Sequence, residues 1–540
     1  KKMARGNVRL KSCWMHVLVL AQLLFIQAVC DTAFDCLYPQ LRAGITKGGG
    51  TECTCSANVT QDGMAVEPNR LEAQCISRLR GGAGSAFVAG AAPRVKKEGA
   101  TTTNPVKSRQ AVVTFQEQAT KVPSFLRWLF KPAKKQKFMP NPSAGVMVQG
   151  FDWESMSDRP RLYSELEKEL PALASAGINV VWFPPPSSSA DPQGYLPGKW
   201  YEIPHKAALQ RAIKKADSEG VVTMVDVVLN HRTASRLSAT TNDWTSFENP
   251  DWEEWAIVKD DWKCEPFDKE KFCLDNCTCG AVDTGENACF APDIDHSNPR
   301  IQADVIAWLE WLRADIGFDA FRFDNTKGYA ASYTALYIEA SKPLLSVGEY
   351  FDTNKDLLTS WVRGSRGNSR TFDFGMRYKL KDSVQQDDYS HLMDKFFGPM
   401  IWYDKEHSVT FLDNHDTAGD LNDRFGTAEQ IAMGYAFLLT HPGLPCIFWQ
   451  DWLGPNQEVI RKLVEARSEA GVTASSVWKV VTAGKGLYAA FVDDSLAVKV
   501  GSGDWSPNQG LAKRGWERSV SGPGWAVWLR IREEDEVGIA

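Results

Sequence analysis

The sequence predicts an α/β protein: a (β/α)8 barrel with a small inserted subdomain after the third strand and an antiparallel β domain at the C-terminal end. Three features predict it. Eight apolar strand-like runs are separated by helical periods, acidic and polar residues recur just past the ends of those runs, and short alternating runs with Gly and Asp turns close the chain. A doubly wound sheet is the alternative, but the polar strand ends favour the barrel, whose chemistry gathers at the C-terminal face.

The elements follow in order. Arg5, Arg9 and Lys11 precede an apolar run from Trp14 to Val29 that ends in Ala28-Val29-Cys30, so residues 1–30 read as a secretory signal peptide. A membrane anchor is the competing reading, but the run is short and broken by His16, Gln22 and Gln27, which leaves no stable span after processing. Residues 31–142 lack either structural period and carry Gly, Ala, Thr and Lys runs, as in a disordered or targeting leader. The basic, Ala/Gly/Ser-rich stretch from Ser85 to Lys97 fits plastid targeting, the alternative to a secretory or extracellular destination. Removing Cys13 and Cys30 with the signal leaves ten of twelve cysteines, an even number suited to disulfides in an oxidising compartment, and Cys53 and Cys55 fit a small stapled loop. Asn58 and Asn276 head glycosylation sequons.

From Gly145 the texture changes, and the barrel is assigned to 143–453. Its strands are expected at Val146–Gln149, Val180–Phe183, Val221–Leu229, Ala320–Phe323, Leu345–Gly348, Thr371–Phe374, Val409–Leu412 and Cys446–Trp449. Ile301, Val305, Leu309, Leu312 and Ile316 mark one helix face ahead of Gly317. Residues 231–296, rich in Cys, Asp and Trp, form the insertion. Residues 454–540 hold a helix to about Ala470, then short strands from Trp478 to Ile531. Length and composition agree. A chain of 540 residues accommodates a barrel plus a module, and 24% charged residues with a net charge of −6 exclude a nucleic-acid binder and favour a neutral partner. Twenty Trp supply flat faces on which sugar rings stack, although core volume is the ordinary use of most.

Four acidic motifs stand at strand ends: Asp226-Val-Val-Leu-Asn230-His231, Gly317 through Arg322 and Asp324 to Lys327-Gly328, Gly348-Glu349-Tyr350-Phe-Asp352, and Phe411-Leu-Asp-Asn414-His415-Asp416. Glycoside hydrolysis with retention needs two facing carboxyl groups, one to attack the anomeric carbon and one to protonate the leaving oxygen. Singly, an Asp at a strand end is commonly a cap or turn residue. Together and in this order, the motifs resemble the signature of the α-amylase superfamily of glycoside hydrolases. Gln149-Gly-Phe-Asp-Trp153, Pro192-Gln-Gly-Tyr195-Leu-Pro-Gly, Asp283-Thr-Gly, Ala291-Pro-Asp293-Ile-Asp-His and His441-Pro-Gly-Leu-Pro-Cys-Ile-Phe extend the resemblance to the plant-type α-amylases, from about Val146 to Ile531.

The resemblance implies a monomer cutting internal α-1,4 bonds of starch-like α-glucans, with Asp324 as nucleophile, Glu349 as acid/base and Asp416 steadying the distorted sugar. Arg322 would keep the nucleophile ionised, His231 and His415 would donate to sugar hydroxyls, and Tyr195, Trp153, Lys327 and Tyr350 would line the cleft. It also implies Ca2+ held by side chains of Asn230, Asp283 and Asp293 and backbone oxygens of Glu286 and Gly328. A second family site has Asn276 and Asn287 where carboxylates are expected. The stretch from Gly198 to Ala208 is several residues short of the plant-type pattern, and Tyr350 stands where Trp is usual. An exo-acting or transglycosylating relative and a non-catalytic glucan-binding protein are the alternatives; the second should have lost one of Asp324, Glu349 or Asp416. Zinc at Cys264, Cys273, Cys277, Cys279 and Cys289 is disfavoured against disulfides, because paired Cys-x-x-Cys spacing is lacking.

Overall fold

A computed structural model describes residues 145–239, 244–260, 279–287, 291–393, 398–508 and 515–531. The leader, both sequons, the calcium-site candidate Asn276 and four of the five clustered cysteines lie outside them. Eight parallel strands close the barrel: β1 (Met147–Gln149), β2 (Val180–Phe183), β5 (Val222–Val227), β6 (Ala320–Phe323), β7 (Ser346–Gly348), β8 (Arg370–Phe372), β9 (Ser408–Phe411) and β10 (Leu444–Phe448). β1 pairs with both β2 and β10, so the sheet has no edge.

All eight expected strands are present, with boundaries moved for local reasons. Phe374, expected in the sixth barrel strand, starts the helix Phe374–Gln386, because the Asp373 carboxylate accepts Met376 N–H at 2.9 Å and caps it. Trp449, expected to end the last strand, opens a short helix instead. The anticipated amphipathic face belongs to the helix Pro299–Trp311, capped by Asn298 and opening into a π turn over Leu312–Ile316 before Gly317 at φ 118°.

The short second loop closes by a device the sequence did not announce. Ser188–Ser189 (β3) pairs with Pro197–Lys199 (β4), after which the chain enters the helix Lys206–Ser218. Trp200 then buries against Trp252 and Trp308, and buried Arg232 covers Trp200 while donating to Gly198 O (2.8 Å) and Pro250 O (2.9 Å). The shortened loop is thereby anchored to the insertion. Within the insertion, His231 bridges Asp293 and Ile257 bridges Ile294, bringing its two ends together. Cys279 is disulfide-bonded, and its partner lies outside the described residues, since Cys446 is free.

Beyond the helix Gln457–Ala470, five antiparallel strands form a sheet in the order β11 (Trp478–Gly484), β12 (Leu487–Val492), β13 (Leu496–Val500), β15 (Trp525–Arg530), β14 (Trp516–Gly522). Tyr488, Val498, Val500 and Val527 join the barrel's core, and His441 Nε2 lies 2.8 Å from the Tyr488 hydroxyl. Among the described residues, no helix is long and apolar enough to cross a membrane.

Candidate active site

Strand register builds the centre. Asp226 on β5 and Arg322 on β6 are Cα partners, so their side chains enter the barrel at one level. Buried Arg322 donates through Nη1 to Asp226 Oδ1 (2.8 Å) and Asp324 Oδ1 (2.7 Å), and its Nη2 pairs with Glu349 Oε2 (2.8 Å). Asp324 and Glu349 therefore face one planar cation just past the ends of β6 and β7. The turn after Asp324 completes the pair: Asn325, at φ 40°, directs its N–H to Glu349 Oε2 at 3.1 Å.

Electrostatics separate these two carboxyls. Burial lifts both, Arg322 pulls both down, and a hydrogen bond between them raises Glu349 while lowering Asp324. Asp324 is pushed up to about 6 and Glu349 to about 7, so Glu349 is the proton holder. Asp416, with 28% of its side chain exposed, is held well above the carboxylate range by burial and by Glu349. His415 Nε2 lies 3.4 Å from Asp416 Oδ1, and burial followed by the Arg322 charge keeps the imidazole neutral.

The wall beside this centre is aromatic. Tyr195 stacks on His415 (centroids 5.0 Å apart, planes 6° apart) and Trp153 on Tyr195 (6.4 Å, 5°), while the Tyr195 hydroxyl donates to Asp226 Oδ2 at 2.9 Å. His231 is linked at 2.7 Å from Nε2 to the Tyr195 carbonyl, which fixes the loop carrying that ring. Across the cleft, Lys327 reaches Asp352 (2.8 Å) and lies 5.3 Å over the Tyr350 ring; Tyr350 leans on Trp361 in a separate small apolar cluster. The side chains singled out for catalysis or substrate contact thus lie in the Arg322 cluster, in or against the aromatic stack on His415, or beside Lys327. Three were overlooked. Asp226 and Gln149 stood inside recognised motifs without a role, and Trp182, which donates to Asp226 at 3.2 Å and lies under Arg322 at 4.9 Å, was hidden in an apolar run. A buried polar residue in an otherwise apolar strand was the available signal for Asp226 and Gln149.

The segments that carry the five candidate metal ligands meet near Gly328. Asn230 donates to Asp293 Oδ1 at 2.7 Å, while its own Oδ1 is buried without a hydrogen-bond partner. Asp283 accepts from Thr284 N–H at 2.6 Å, and its Oδ2 is likewise buried and unpartnered. A Cβ on Gly328 would fall 1.6 Å from Asn230 Oδ1, so only glycine admits that oxygen, and Glu286 N–H bonds Lys327 O at 2.9 Å to join the two segments. Two orphaned oxygens, two carboxylates and nearby carbonyls fit a hard cation. Among the described residues, no group of three or more His, Cys, Asp or Glu is placed to hold a metal ion.

Comparisons place this geometry among known proteins. A family model for the α-amylase C-terminal β-sheet domain matches residues 469–529. The chain is 33% identical over 411 residues to probable α-amylase 2 of Arabidopsis thaliana, covering 71% of this chain and 93% of that one. It is 31% identical to the chloroplastic α-amylase 3 of the same plant, of which it spans 44%. Among solved structures, an acarbose-complexed α-amylase from Geobacillus thermoleovorans aligns with a TM-score of 0.54 at 14% identity, over 72% of this chain and 99% of that one. One from Malbranchea cinnamomea aligns at 0.52 and 15%, over 72% and 96%. These two carry the fold alone.

Proposed function

The chain belongs to the α-amylase family of glycoside hydrolases, in its plant-type branch, and from that premise we propose that it hydrolyses internal α-1,4 bonds of starch-like α-glucans with retention of configuration. The observation that carries the mechanism is the single Arg322 guanidinium engaging both Asp324 and Glu349 inside the barrel. Asp324, the more acidic of the two, attacks the anomeric carbon as Glu349 delivers its proton to the leaving oxygen. Glu349, now ionised, takes a proton from water, which attacks the glycosyl ester and frees Asp324. Asp416 and His415 hold the hydroxyls of the reacting sugar, stacked on Tyr195, while Lys327 and Tyr350 receive the leaving glucan.

Two displacements at one carbon return the starting configuration. Fresh product examined by NMR should carry the α anomer, and a blocked-end maltoheptaoside should be cut internally. An initial β anomer contradicts the mechanism; attack confined to unblocked chain ends gives the exo-acting relative instead; no hydrolysis leaves a glucan-binding protein.

Asn230, Asp283 and Asp293, with backbone oxygens of Glu286 and Gly328, would hold Ca2+, which would brace the insertion against the turn that follows Asp324. Chelation should then lower thermal stability, by about 3 kcal/mol relative to free ion a hundredfold above its Kd. An unchanged melting curve with no bound calcium removes the ion from the proposal. For the destination, the chloroplastic relative supports the plastid reading of the leader, and the Cys279 disulfide supports an oxidising compartment; imaging a fluorescent fusion of the full chain chooses.

A further inference from the structure

Gln149 ends β1, fully buried, as the Cα partner of Trp182 on β2. Its Nε2 stands 3.0 Å from His415 Nδ1, and its Oε1 has no hydrogen-bond partner. The His415 ring is walled by Phe151, Trp153, Trp182 and Tyr195, so its nitrogens meet polar groups along its edge: Gln149 at Nδ1 and Asp416 at Nε2. A neutral imidazole has one N–H to place. The Gln149 amide presents its NH2 to Nδ1, which has to accept, so the single N–H of the neutral ring falls on Nε2 and faces Asp416 Oδ1.

We propose that Gln149 is a positioning residue that locks His415 in the Nε2–H tautomer, so that the ring offers a donor to Asp416 and to the hydroxyl of the bound sugar. The reversed amide would stabilise Nδ1–H and turn the Nε2 lone pair onto Asp416 Oδ1. An apolar residue of the same size would leave the two tautomers to compete. Burial keeps the ring neutral, which makes tautomer choice rather than charge the quantity that Gln149 sets. The kinetic part of this inference rests on the glycosidase reading; the tautomer itself does not.

The test uses the full chain labelled with 15N-histidine, the His415 signals being identified by their loss in His415→Gln. In the native protein Nε2 should show a protonated, pyrrole-type shift and Nδ1 an unprotonated one. Gln149→Leu should mix the two states and lower kcat about tenfold, with KM within about twofold, as expected for one lost hydrogen bond to a substrate-orienting ring. Gln149→Glu should draw a proton onto Nδ1, seen as two pyrrole-type nitrogens. A protonated Nδ1 with bare Nε2 in the native protein overturns the proposal whether or not the variants fold, and so does a Gln149→Leu protein with unchanged His415 signals and native kcat. A native chain with the expected tautomer that cleaves no α-glucan would sink the glycosidase reading and leave the tautomer assignment standing.

Discussion

Two buried charge clusters occupy neighbouring strand ends of the barrel, and they differ in balance. Around Arg322, one cation meets Asp226, Asp324 and Glu349, and Asp416 adds a fourth carboxyl. Around Arg377, three cations meet three carboxylates: Arg377, Lys381 and Arg424 against Asp413, Asp423 and Asp451. The excess of carboxyls in the first cluster means that protons stay in it near neutral pH. In the second, burial still raises Asp413 and lifts Asp451 to about 6, but Arg424 pulls both down and the cluster also holds chain. Arg377 Nε donates to Leu412 O at 3.0 Å, and Asp413 accepts Phe425 N–H at 3.0 Å, so the segment carrying His415 and Asp416 is tied at both ends. An unbalanced cluster supplies reactivity, and a balanced one beside it fixes where that reactivity points.

The largest effect expected of this difference is on turnover. Glu349→Gln preserves shape and the contact with Arg322 but removes the transferable proton, so kcat should fall by about a thousandfold or more while substrate binding stays near native. Asp324→Asn should equally prevent the covalent step. Near-native turnover in either variant breaks the comparison at its first term. In the balanced cluster the loss should appear in stability instead. Arg377→Met leaves buried Asp413 with only the Arg424 ion pair, at 3.5 Å, while partly exposed Asp423 keeps Lys381, and should cost about 3 kcal/mol, read from the denaturant midpoint. A variant as stable as the native protein would mean that the second cluster holds nothing.

A subtler difference lies in pH response. Below about 6 Asp324 takes up a proton and ceases to be a nucleophile; above about 7 Glu349 loses the proton it must deliver. The kcat/KM profile should therefore be a narrow bell between those values, falling about tenfold per unit outside them. Arg377→Met should lower the bell without moving its limbs, whereas Asp226→Asn, which removes a neighbour that raises Asp324, should move the acid limb downward. Identical limbs in the Asp226 variant would show that the carboxyls do not sense one another.

Much of this was legible in the sequence, for reasons that can be named. Barrel strands are buried on both faces and read as apolar runs, so β2 and β6 begin and end where their runs do. Asp324 and Glu349 stood out as charges directly after such runs, and Asp416 four residues beyond one. The β3–β4 ribbon was invisible because Ser188–Ser189 and Pro197–Lys199 carry no apolar alternation, and the early start of the helix at Phe374 turned on one capping carboxylate. The Arg377 cluster was hidden for a different reason. Its members are spread from 377 to 451 and, Asp413 apart, fall in no motif, and only the barrel's closure brings Asp413 and Asp451 within reach of Arg424.

The smallest expected effect is also the sharpest test of imbalance. If the first cluster holds more carboxyls than its cation can neutralise, removing one charge should stabilise the fold even as it destroys function. Asp416→Asn keeps an acceptor opposite His415 Nε2 and changes little volume. The Asp416 carboxyl is raised above its unfolded value by burial and by Glu349, so the folded state binds this proton more tightly than the unfolded one. Its contribution to stability is accordingly full below about pH 4, where Asp416 is protonated in both states, and is lost as pH rises through the folded value. The variant should match the native protein near pH 4 and exceed it by about 1 kcal/mol or more at pH 8, with activity strongly reduced throughout. Denaturant midpoints across that range decide the matter. A variant less stable than native at pH 8 would mean that Asp416 is held by attraction, and the contrast between the two clusters would fail at the residue where it should be plainest.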